Sequence, residues 1–325
     1  MSPRRINWLL TFGIAAASFA SLLIGRTSGG PAFGLGEPEI AATVLRELRL
    51  PRTLLGLLVG GSLGLCGAAL QGLLRNPLAE PGILGTSSSA AFGAVIVFYF
   101  GLASQQSLLL PGGAILGSLA ALGCIYALAG RRASLITLVL TGIAINAFAA
   151  ALTSLALNFA PSPYAALEIL FWMLGSLADR ELTQVLIAAA VMAPGWWLIS
   201  RTGAGLDALT LGEETAHSLG QHPKRTQMYV LAGTALAVGA GVAAAGVVGF
   251  VGLVVPHIMR GFVGHLPSRL LLPAFLGGAL LTVLADIVIR LLPAGPELKL
   301  GVVTALIGAP FFLRLIAASR RGTLQ

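Results

Sequence analysis

Long apolar segments separated by short polar stretches run through almost the whole chain. Ten such blocks lie at about residues 8–25, 53–74, 82–101, 111–130, 135–159, 182–200, 227–246, 248–263, 270–289 and 299–318. Because a membrane-spanning helix needs about 20 mostly apolar residues, the pattern predicts an all-α polytopic membrane protein with about ten transmembrane helices. We expect one transmembrane domain over residues 1–325, with its first span at about 8–25.

The eighth block, 248–263, is ambiguous because it is short and contains Pro256, His257 and Arg260. A short span and a broken, re-entrant segment both fit it, the second only where protein covers the freed backbone groups. The first block also follows two arginines, as a signal peptide would. An uncleaved span is favoured, since the block is long for a signal core and further spans follow.

The composition agrees with a membrane protein. The 325 residues are 56% hydrophobic and only 10% charged, whereas soluble domains carry about 25% charged residues. That deficit excludes a soluble enzyme, a disordered chain and a nucleic-acid module. The net charge of +8 is explained by Lys and Arg retained on the cytoplasmic side. If the chain has ten spans, most Lys and Arg residues lie on the same side of the membrane as both termini. We therefore expect both termini to be cytoplasmic.

Four arginines break this charge rule. Arg46, Arg49 and Arg52 precede the second block, and Arg290 follows the ninth, all on the predicted outer side. They form either a surface for an acidic partner or pairs with Glu47 and Asp286, the latter one helical turn from Arg290. The pattern alone leaves both interpretations open.

The spans contain almost no ionisable residues, and this bears on the energy source. Ion-coupled carriers place such groups near the membrane midplane, so an ion-coupled secondary transporter is disfavoured. A P-loop needs Gly-Lys-Ser/Thr, but Lys224 and Lys299 follow Pro223 and Leu298. An ATPase must therefore be a separate partner. No His-Glu-x-x-His or similar constellation indicates an intramembrane enzyme, and the sequence offers no metal site.

The connection from about 201 to 227 is the longest one on the cytoplasmic side. Within it, Leu209, Ala216 and Leu219 are spaced to share a helical face, with two acidic residues in the first turn and Gly220 as the stop. A short amphipathic helix of this kind suits a lever held by a soluble partner. A helix lying on the membrane surface prefers a basic polar face, which is missing.

A second connection, from Arg75 to Gly85, contains two prolines and two glycines, so it must be a non-helical turn, either a tight reversal or part of a gate. The stretch Gly60–Gly85 is echoed five blocks later by Gly239–Gly261, as runs of small residues leading to a proline-containing turn. Because five spans, an odd number, separate the two stretches, they cross the membrane in opposite directions, as the halves of an inverted repeat do.

Several long motifs resemble the membrane permeases of ABC importers for iron complexes, the FecCD type. They are Arg49-Leu-Pro-Arg52, Gln71-Gly-Leu-Leu-Arg-Asn-Pro-Leu-Ala-Glu-Pro-Gly-Ile-Leu-Gly85, Leu211-Gly-Glu-Glu-Thr-Ala-His-Ser-Leu-Gly220, Gly249-Phe-Val-Gly-Leu-Val-Val-Pro-His-Ile-Met-Arg260, Ala285-Asp-Ile-Val-Ile-Arg290 and Gly301-Val-Val-Thr-Ala-Leu-Ile-Gly-Ala-Pro310. The resemblance runs in order from about residue 45 to the C-terminus. This family imports ferric siderophores, haem and cobalamin.

The resemblance implies a homodimer in the bacterial inner membrane, two cytoplasmic ATPase subunits and a periplasmic binding protein. The chain itself would bind no cofactor and would not be an enzyme, since ATP and Mg belong to the ATPase. The expected cargo is a ferric siderophore or haem, with cobalamin as the alternative. His257 lies in a motif shared across cargo classes, so we expect it to be structural.

The resemblance also implies roles for particular residues. Arg49, Arg52 and Arg290 would dock the binding protein. The fifth span would line the translocation path, and the turn after the second span would form part of a gate. The path and gate residues are Asn76, Leu78, Thr141, Asn146, Thr153 and Ser154. The residues that couple to the ATPase are Gly212, Glu213, Glu214, Ala216, Leu219 and Gly220.

Overall fold

The computed structural model describes residues 3–27, 30–34, 38–102, 108–130, 134–292 and 297–320. These residues form helices and a single two-stranded hairpin. The strands are β1 (Ile24–Thr27) and β2 (Gly30–Phe33), antiparallel to each other. The helices are α1 (Pro3–Leu23), α2 (Pro38–Thr43), α3 (Leu50–Leu73), α4 (Thr86–Tyr99), α5 (Leu109–Ala129), α6 (Leu135–Asn158), α7 (Pro163–Met173), α8 (Leu182–Ser200), α9 (Gly203–Leu209), α10 (Glu213–Ser218), α11 (Pro223–Ala245), α12 (Val251–Val263), α13 (Pro267–Leu291) and α14 (Leu300–Arg320). A π-helical turn at Val44–Arg49 leads into α3, and a 3₁₀ turn at Pro81–Leu84 leads into α4.

The ten apolar blocks of the sequence correspond one for one to α1, α3, α4, α5, α6, α8, α11, α12, α13 and α14. By length and composition, seven of these helices are sufficient to cross a membrane, and α4, α12 and α14 contribute three shorter apolar stretches. The predicted all-α polytopic fold is confirmed. The ambiguous block is one uninterrupted helix, α12, whose 13 residues span about 20 Å at 1.5 Å per residue.

Three helices form the centre of the bundle. We compared the most apolar 18-residue stretch of each long helix. The share of its residues that are buried is 83% in α3 with its preceding turn, 78% in α11 and 61% in α13, against 17% in α6. A Cβ atom on Gly60 or Gly64 of α3 would collide with the α13 backbone at Gly278 or Ala274. Small residues therefore let these backbones touch, which is how helices pack closely in lipid.

The two ends of the bundle, called the hairpin end and the loop end, carry different structures. The hairpin end contains β1, β2 and the π-helical turn, together with the C-terminal end of α13. The loop end contains α9 and α10, the start of α13 and the turn that follows α3; there, Gly72 approaches Pro267 and Leu206.

The two stretches that echo each other in the sequence have the same structural order. Each is a central helix, α3 or α11, followed by a turn and then a short apolar helix, α4 or α12. The residue immediately before each short helix is left-handed: Gly85 has φ +70° and Phe250 has φ +66°. This shared order supports the inverted repeat, which stays a prediction.

Candidate functional site

A cavity of about 600 Å³ opens between α6 and the segments that follow α3 and α11. One face of α6 forms its longest wall, from Ile143 to Leu157, which is about 21 Å along the helix. The remaining walls come from α3, the 3₁₀ turn, the start of α4, the end of α7 and the turn between α11 and α12. The lining residues are Leu63, Glu80, Pro81, Gly82, Ile83, Ser87, Ser88, Ala91, Ile143, Asn146, Ala150, Thr153, Ser154, Leu157, Met173, Val247, Val248, Gly249, Phe250 and Gly252.

The polar groups on the α6 wall are mostly satisfied by neighbouring protein atoms. The Thr153 and Ser154 hydroxyls donate to the Ala149 and Ala150 carbonyls at 2.9 and 3.0 Å. Where α4 meets α6 at the cavity wall, Ser88 of α4 donates to Asn146 Oδ1 at 2.6 Å. With these hydrogen bonds made inside the protein, the wall presents a weakly polar surface.

Close packing holds α6 against the turn that precedes α4. Gly142 of α6 lies on this turn, where an added Cβ would come within 2.7 Å of the Ile83 carbonyl oxygen. The helix begins at Ser134, whose hydroxyl accepts from the Thr137 N–H at 3.1 Å, a typical N-cap. The N-cap and this close contact together fix the position of α6, and therefore of the cavity wall that it forms.

Asn76 and Leu78 shape the turn after α3 without lining the cavity. Asn76 Oδ1 accepts from the Leu78 N–H at 2.9 Å, and the Asn76 N–H donates to the Gln71 carbonyl at 3.2 Å. The next residues of the same motif, Glu80 to Ile83, form the cavity wall. The two predicted gate residues thus position the segment that lines the cavity.

Glu80 also lines the cavity and was not among the predicted site residues. Its carboxyl group lies close to the backbone N–H of Phe250, just before α12. Burial raises the pKa of this carboxyl, and the nearby Phe250 backbone N–H opposes the rise. Glu80 lies within the motif from Gln71 to Gly85, but nothing in the sequence pattern indicates that a single carboxylate there faces a cavity.

Three of the four path residues predicted on the fifth span line the cavity. Asn146, Thr153 and Ser154 share the α6 face, whereas Thr141 is not among the lining residues. The turn from Val247 to Phe250 also lines it and was missed, because nothing in the sequence places this turn opposite α6.

The three arginines predicted to dock a partner lie at the hairpin end, held by internal hydrogen bonds. Arg290 is 2% exposed, donates to the Ser21 and Ile24 carbonyls at 2.7 and 2.6 Å, and pairs with Asp286 at 2.9 Å. The sequence alternative in which Asp286 neutralises Arg290 is therefore confirmed.

The other two arginines of this group are similarly engaged. Arg49 donates to the carbonyls of Leu22 and Gly34 at 2.8 and 2.5 Å. Two guanidinium nitrogens of Arg52 donate hydrogen bonds to the Asp286 carboxylate at 2.8–3.0 Å, and Arg52 also forms an ion pair with Glu297.

We call Arg49, Arg52, Asp286, Arg290 and Glu297 the hairpin-end ion cluster. It joins α3, α13 and the segment before α14, and its three guanidinium groups and two carboxylates give a net charge of +1. The docking role of its arginines stays a prediction, and the geometry gives each of them a partner within the chain.

The long connection at the loop end forms two short helices where one was expected. Leu209, at the end of α9, and Ala216, in α10, are buried, whereas Leu219 is 58% exposed. The predicted common face of these three residues is therefore wrong. Gly212, with φ +104°, breaks the helix between Leu209 and Ala216.

The coupling residues predicted in this segment form a protruding surface around α10. Gly212 and Gly220 bracket the helix with positive φ, and Glu213 and Glu214 are exposed in its first turn. Ala216 packs inward, and Leu219 projects outward. An apolar side chain beside two carboxylates is a suitable contact for a soluble partner.

The described residues contain no group of three His, Cys, Asp or Glu side chains that could hold a metal ion. His257 of α12 packs edge-on against Phe311 of α14, with 5.5 Å between ring centroids. Arg260, one turn later, donates to Gln71 Oε1 of α3 at 2.6 Å. Both side chains fix α12 to its neighbours, as the structural interpretation of His257 predicts.

The sequence and the fold of this chain are similar to those of known proteins. Residues 9–318 match the profile of the FecCD transport family. The hemin transport system permease protein HmuU of Yersinia pestis is 40% identical over 279 residues, which cover 84% of this chain and 83% of that protein. The vitamin B12 import system permease protein BtuC of Salmonella arizonae is 36% identical over 321 residues, 98% of this chain and 96% of that one. A solved metal-chelate type ABC transporter in an inward-facing conformation superposes with a TM-score of 0.84 at 32% identity, over 97% of this chain and 99% of that one.

Proposed function

The chain belongs to the FecCD transport family, and from that premise we propose that it is the permease subunit of an ATP-driven importer for a metal chelate. The cargo would be a ferric siderophore, haem or cobalamin, delivered by a periplasmic binding protein and released into the cytoplasm. The observation that carries the proposal is the cavity along α6. At about 600 Å³ it lies within the usual size range of small-molecule sites.

The remaining parts of the transporter follow from the same proposal. A second copy of the chain would complete the path, and two ATPase subunits would bind α10 at the loop end. The hairpin end would face the periplasm and receive the binding protein. Both termini would then be cytoplasmic, with the chain in the bacterial inner membrane.

The mechanism requires a difference in free energy between two arrangements of the dimer. ATP binding would draw the two ATPase subunits together, and they would pull on α10 through Leu219. A ligand shifts such an equilibrium only by its differential affinity for the two states, and hydrolysis would restore the first state. The chain's own task is to carry this movement from α10 to the cavity wall.

The experiment is uptake into proteoliposomes that contain this chain, its ATPase and its binding protein. Haem, several ferric siderophores and cobalamin are offered, with ATP or a non-hydrolysable analogue enclosed. We expect ATP-dependent accumulation of one cargo class, which would also identify it.

The alternative, an ion-coupled carrier, has one favouring observation, the carboxylate of Glu80 in the cavity. It predicts accumulation driven by an imposed proton gradient without ATP. That result, with no ATP-dependent uptake, would contradict the proposed function.

A further inference from the structure

A second, smaller pocket lies between α5, α8 and α11, at the end of α8 that is farther from α9. Its volume is about 70 Å³, and it shares no lining residue with the cavity along α6. Eight of its ten lining residues are apolar, and the other two are Arg180 and Gln184. The function proposed above gives neither of these two residues a role.

Both polar residues of this pocket have a buried atom that finds no hydrogen-bond partner among the described residues. These atoms are Arg180 Nε, which is a donor, and Gln184 Oε1, which is an acceptor. A buried polar group without a partner costs free energy, and the cost is larger when the group is charged. A ligand that brings both an acceptor and a donor would therefore be stabilised in this pocket.

The charge of the pocket favours an anion. Arg180 takes part in none of the ion pairs found within the described part of the chain. Its acidic neighbours in the sequence, Asp179 and Glu181, are exposed and do not line the pocket, and Glu181 accepts from the Thr183 hydroxyl at 3.1 Å. Burial lowers the pKa of Arg180, and the charge of Asp179 opposes this. An anion in the pocket would stabilise the charged guanidinium group.

The pocket lies at the boundary of the membrane. Arg180 precedes Leu182, the first residue of a helix that is long and apolar enough to cross a bilayer. From Gln184 the lining continues to Ala188, one turn or about 6 Å further along α8. The guanidinium group is therefore at about the depth of the lipid headgroups. Basic pockets between transmembrane helices bind such headgroups, and arginine suits phosphate because its planar fork donates two parallel hydrogen bonds.

Close packing limits the depth of the pocket and leaves apolar surface outside it. The Ser118 hydroxyl of α5 donates to the Ala235 carbonyl of α11 at 2.8 Å, and a Cβ atom on Gly239 would come within 2.8 Å of Ser118 Cβ. Leu116 of α5 and Leu186 of α8 each adjoin a lining residue and are 68% and 61% exposed. The apolar part of a ligand would therefore lie along the outer faces of α5 and α8.

We propose that this pocket binds the headgroup of an anionic phospholipid. The phosphate oxygens would accept from Arg180, and a headgroup hydroxyl would donate to Gln184 Oε1. The acyl chains would lie along the exposed faces of α5 and α8. Phosphatidylglycerol supplies all three parts, namely a phosphate, hydroxyl groups and two acyl chains. The binding goes beyond the proposed function, because it involves neither the cargo nor the cavity along α6.

The test compares lipid occupancy beside the pocket with occupancy elsewhere on the protein surface. The full-length chain carries a bimane fluorophore on Leu186→Cys, in a Cys124→Ser background because Cys124 is exposed and Cys66 is buried. It is placed in phosphatidylcholine nanodiscs that contain increasing fractions of phosphatidylglycerol with brominated acyl chains, which quench bimane on contact. The reference site is Val288→Cys on α13, which is 52% exposed and also lies about one turn from its helix end.

We expect half-maximal quenching at Leu186→Cys at a fraction of brominated lipid about tenfold lower than at Val288→Cys. Arg180→Gln should remove this difference. Gln184→Glu should remove it as well, because a carboxylate of nearly the same shape would pair with Arg180 inside the protein. Arg46→Gln, at an exposed arginine of the hairpin end, is the matched control and should leave the difference intact.

Three results would overturn the proposal. The first is equal quenching at the two labelled sites without further substitution, since the pocket would then hold no preferred lipid. The second is a preference that persists in Arg180→Gln. The third is loss of the preference when millimolar glycerol 3-phosphate is added, which would assign the pocket to a soluble phosphate ester. None of these results depends on transport, so the proposed function is tested separately.

Discussion

The hairpin-end ion cluster and the cavity along α6 use charge in opposite ways. At the hairpin end, Asp286 is held by Arg52 and Arg290 at 2.8–2.9 Å. In the cavity, Glu80 has no Lys, Arg or His beside it among the lining residues. The ion pair between Arg52 and Asp286 joins α3 to α13, whereas Glu80, which takes part in none of the ion pairs found among the described residues, lines the space that cargo would cross.

The largest expected effect comes from breaking the cluster. Arg290→Ala leaves Asp286 buried with one partner fewer, and removing one member of a buried pair costs about 3–5 kcal/mol. We expect a large fall in thermal unfolding temperature in detergent. Arg46→Ala, at a side chain 78% exposed, is the control and should leave this temperature unchanged; equal stability of both variants would refute the structural role.

The same contrast between partnered and unpartnered side chains applies at the loop end. Leu219 is an exposed apolar residue, and its neighbour Ala216 is fully buried. We expect Leu219→Asp to reduce ATP-driven uptake by about tenfold, an interface loss of ~1.4 kcal/mol, while the ATPase subunits still hydrolyse ATP. Leu211→Asp, on an equally exposed leucine before Gly212, tests whether the effect is specific to Leu219; normal uptake in Leu219→Asp would count against α10 as the coupling element.

A smaller effect is expected from the exposed arginine beside the cluster. Arg46 is exposed and pairs only with the exposed Glu47 at 3.8 Å, so it is accessible to an acidic partner, whereas Arg49 and Arg290 are buried. Exposed ion pairs contribute about 0.2–1 kcal/mol, so Arg46→Glu should weaken binding of the carrier severalfold, measured by its Kd for the reconstituted permease. An unchanged Kd for Arg46→Glu, together with a loss of carrier binding in a stably folded Arg52→Gln variant, would indicate that the carrier binds the hairpin-end ion cluster itself.

The smallest effect concerns stability and pH. Folding raises the pKa of Glu80 above its ordinary value of 4.5, so the charged carboxylate is less favourable in the folded state. Its contribution to stability is therefore lost as the pH rises from 4.5 through the raised pKa. Glu80→Gln should remove this part of the pH dependence of thermal unfolding, and a profile identical to wild type would show that Glu80 contributes none of it.

The sequence predicts the fold well because the thickness of the bilayer sets the length of most apolar blocks. All ten blocks are helices, and even α12, with Pro256 and Arg260, forms one. Contacts between distant segments could not be predicted in the same way. Nothing local to Arg49 indicates that it binds the Leu22 and Gly34 carbonyls, and nothing near Glu80 places Phe250 beside it.

In the candidate site too, local helical patterns could be predicted from the sequence, whereas contacts between distant segments could not. Helical periodicity groups Asn146, Thr153 and Ser154 on one face of α6, and that face lines the cavity. Thr141 lies closer to the start of the helix, where Gly142 packs on the turn at Ile83, and it is not part of the lining. The spacing of Leu209, Ala216 and Leu219 suggested one face, but Gly212 lies between them and changes the chain direction.

The most direct test of the account is whether the cavity along α6 changes the side from which it is accessible. Ser154→Cys in the Cys124→Ser background is labelled with a membrane-impermeant thiol reagent added to one side of proteoliposomes that contain the whole transporter. We predict that trapping the ATPase with ATP and vanadate moves labelling from one side to the other, while Leu116→Cys, on the apolar outer face of α5, stays unlabelled. Equal labelling from both sides with and without ATP, or none at all, would contradict the assignment of this cavity as the transport path.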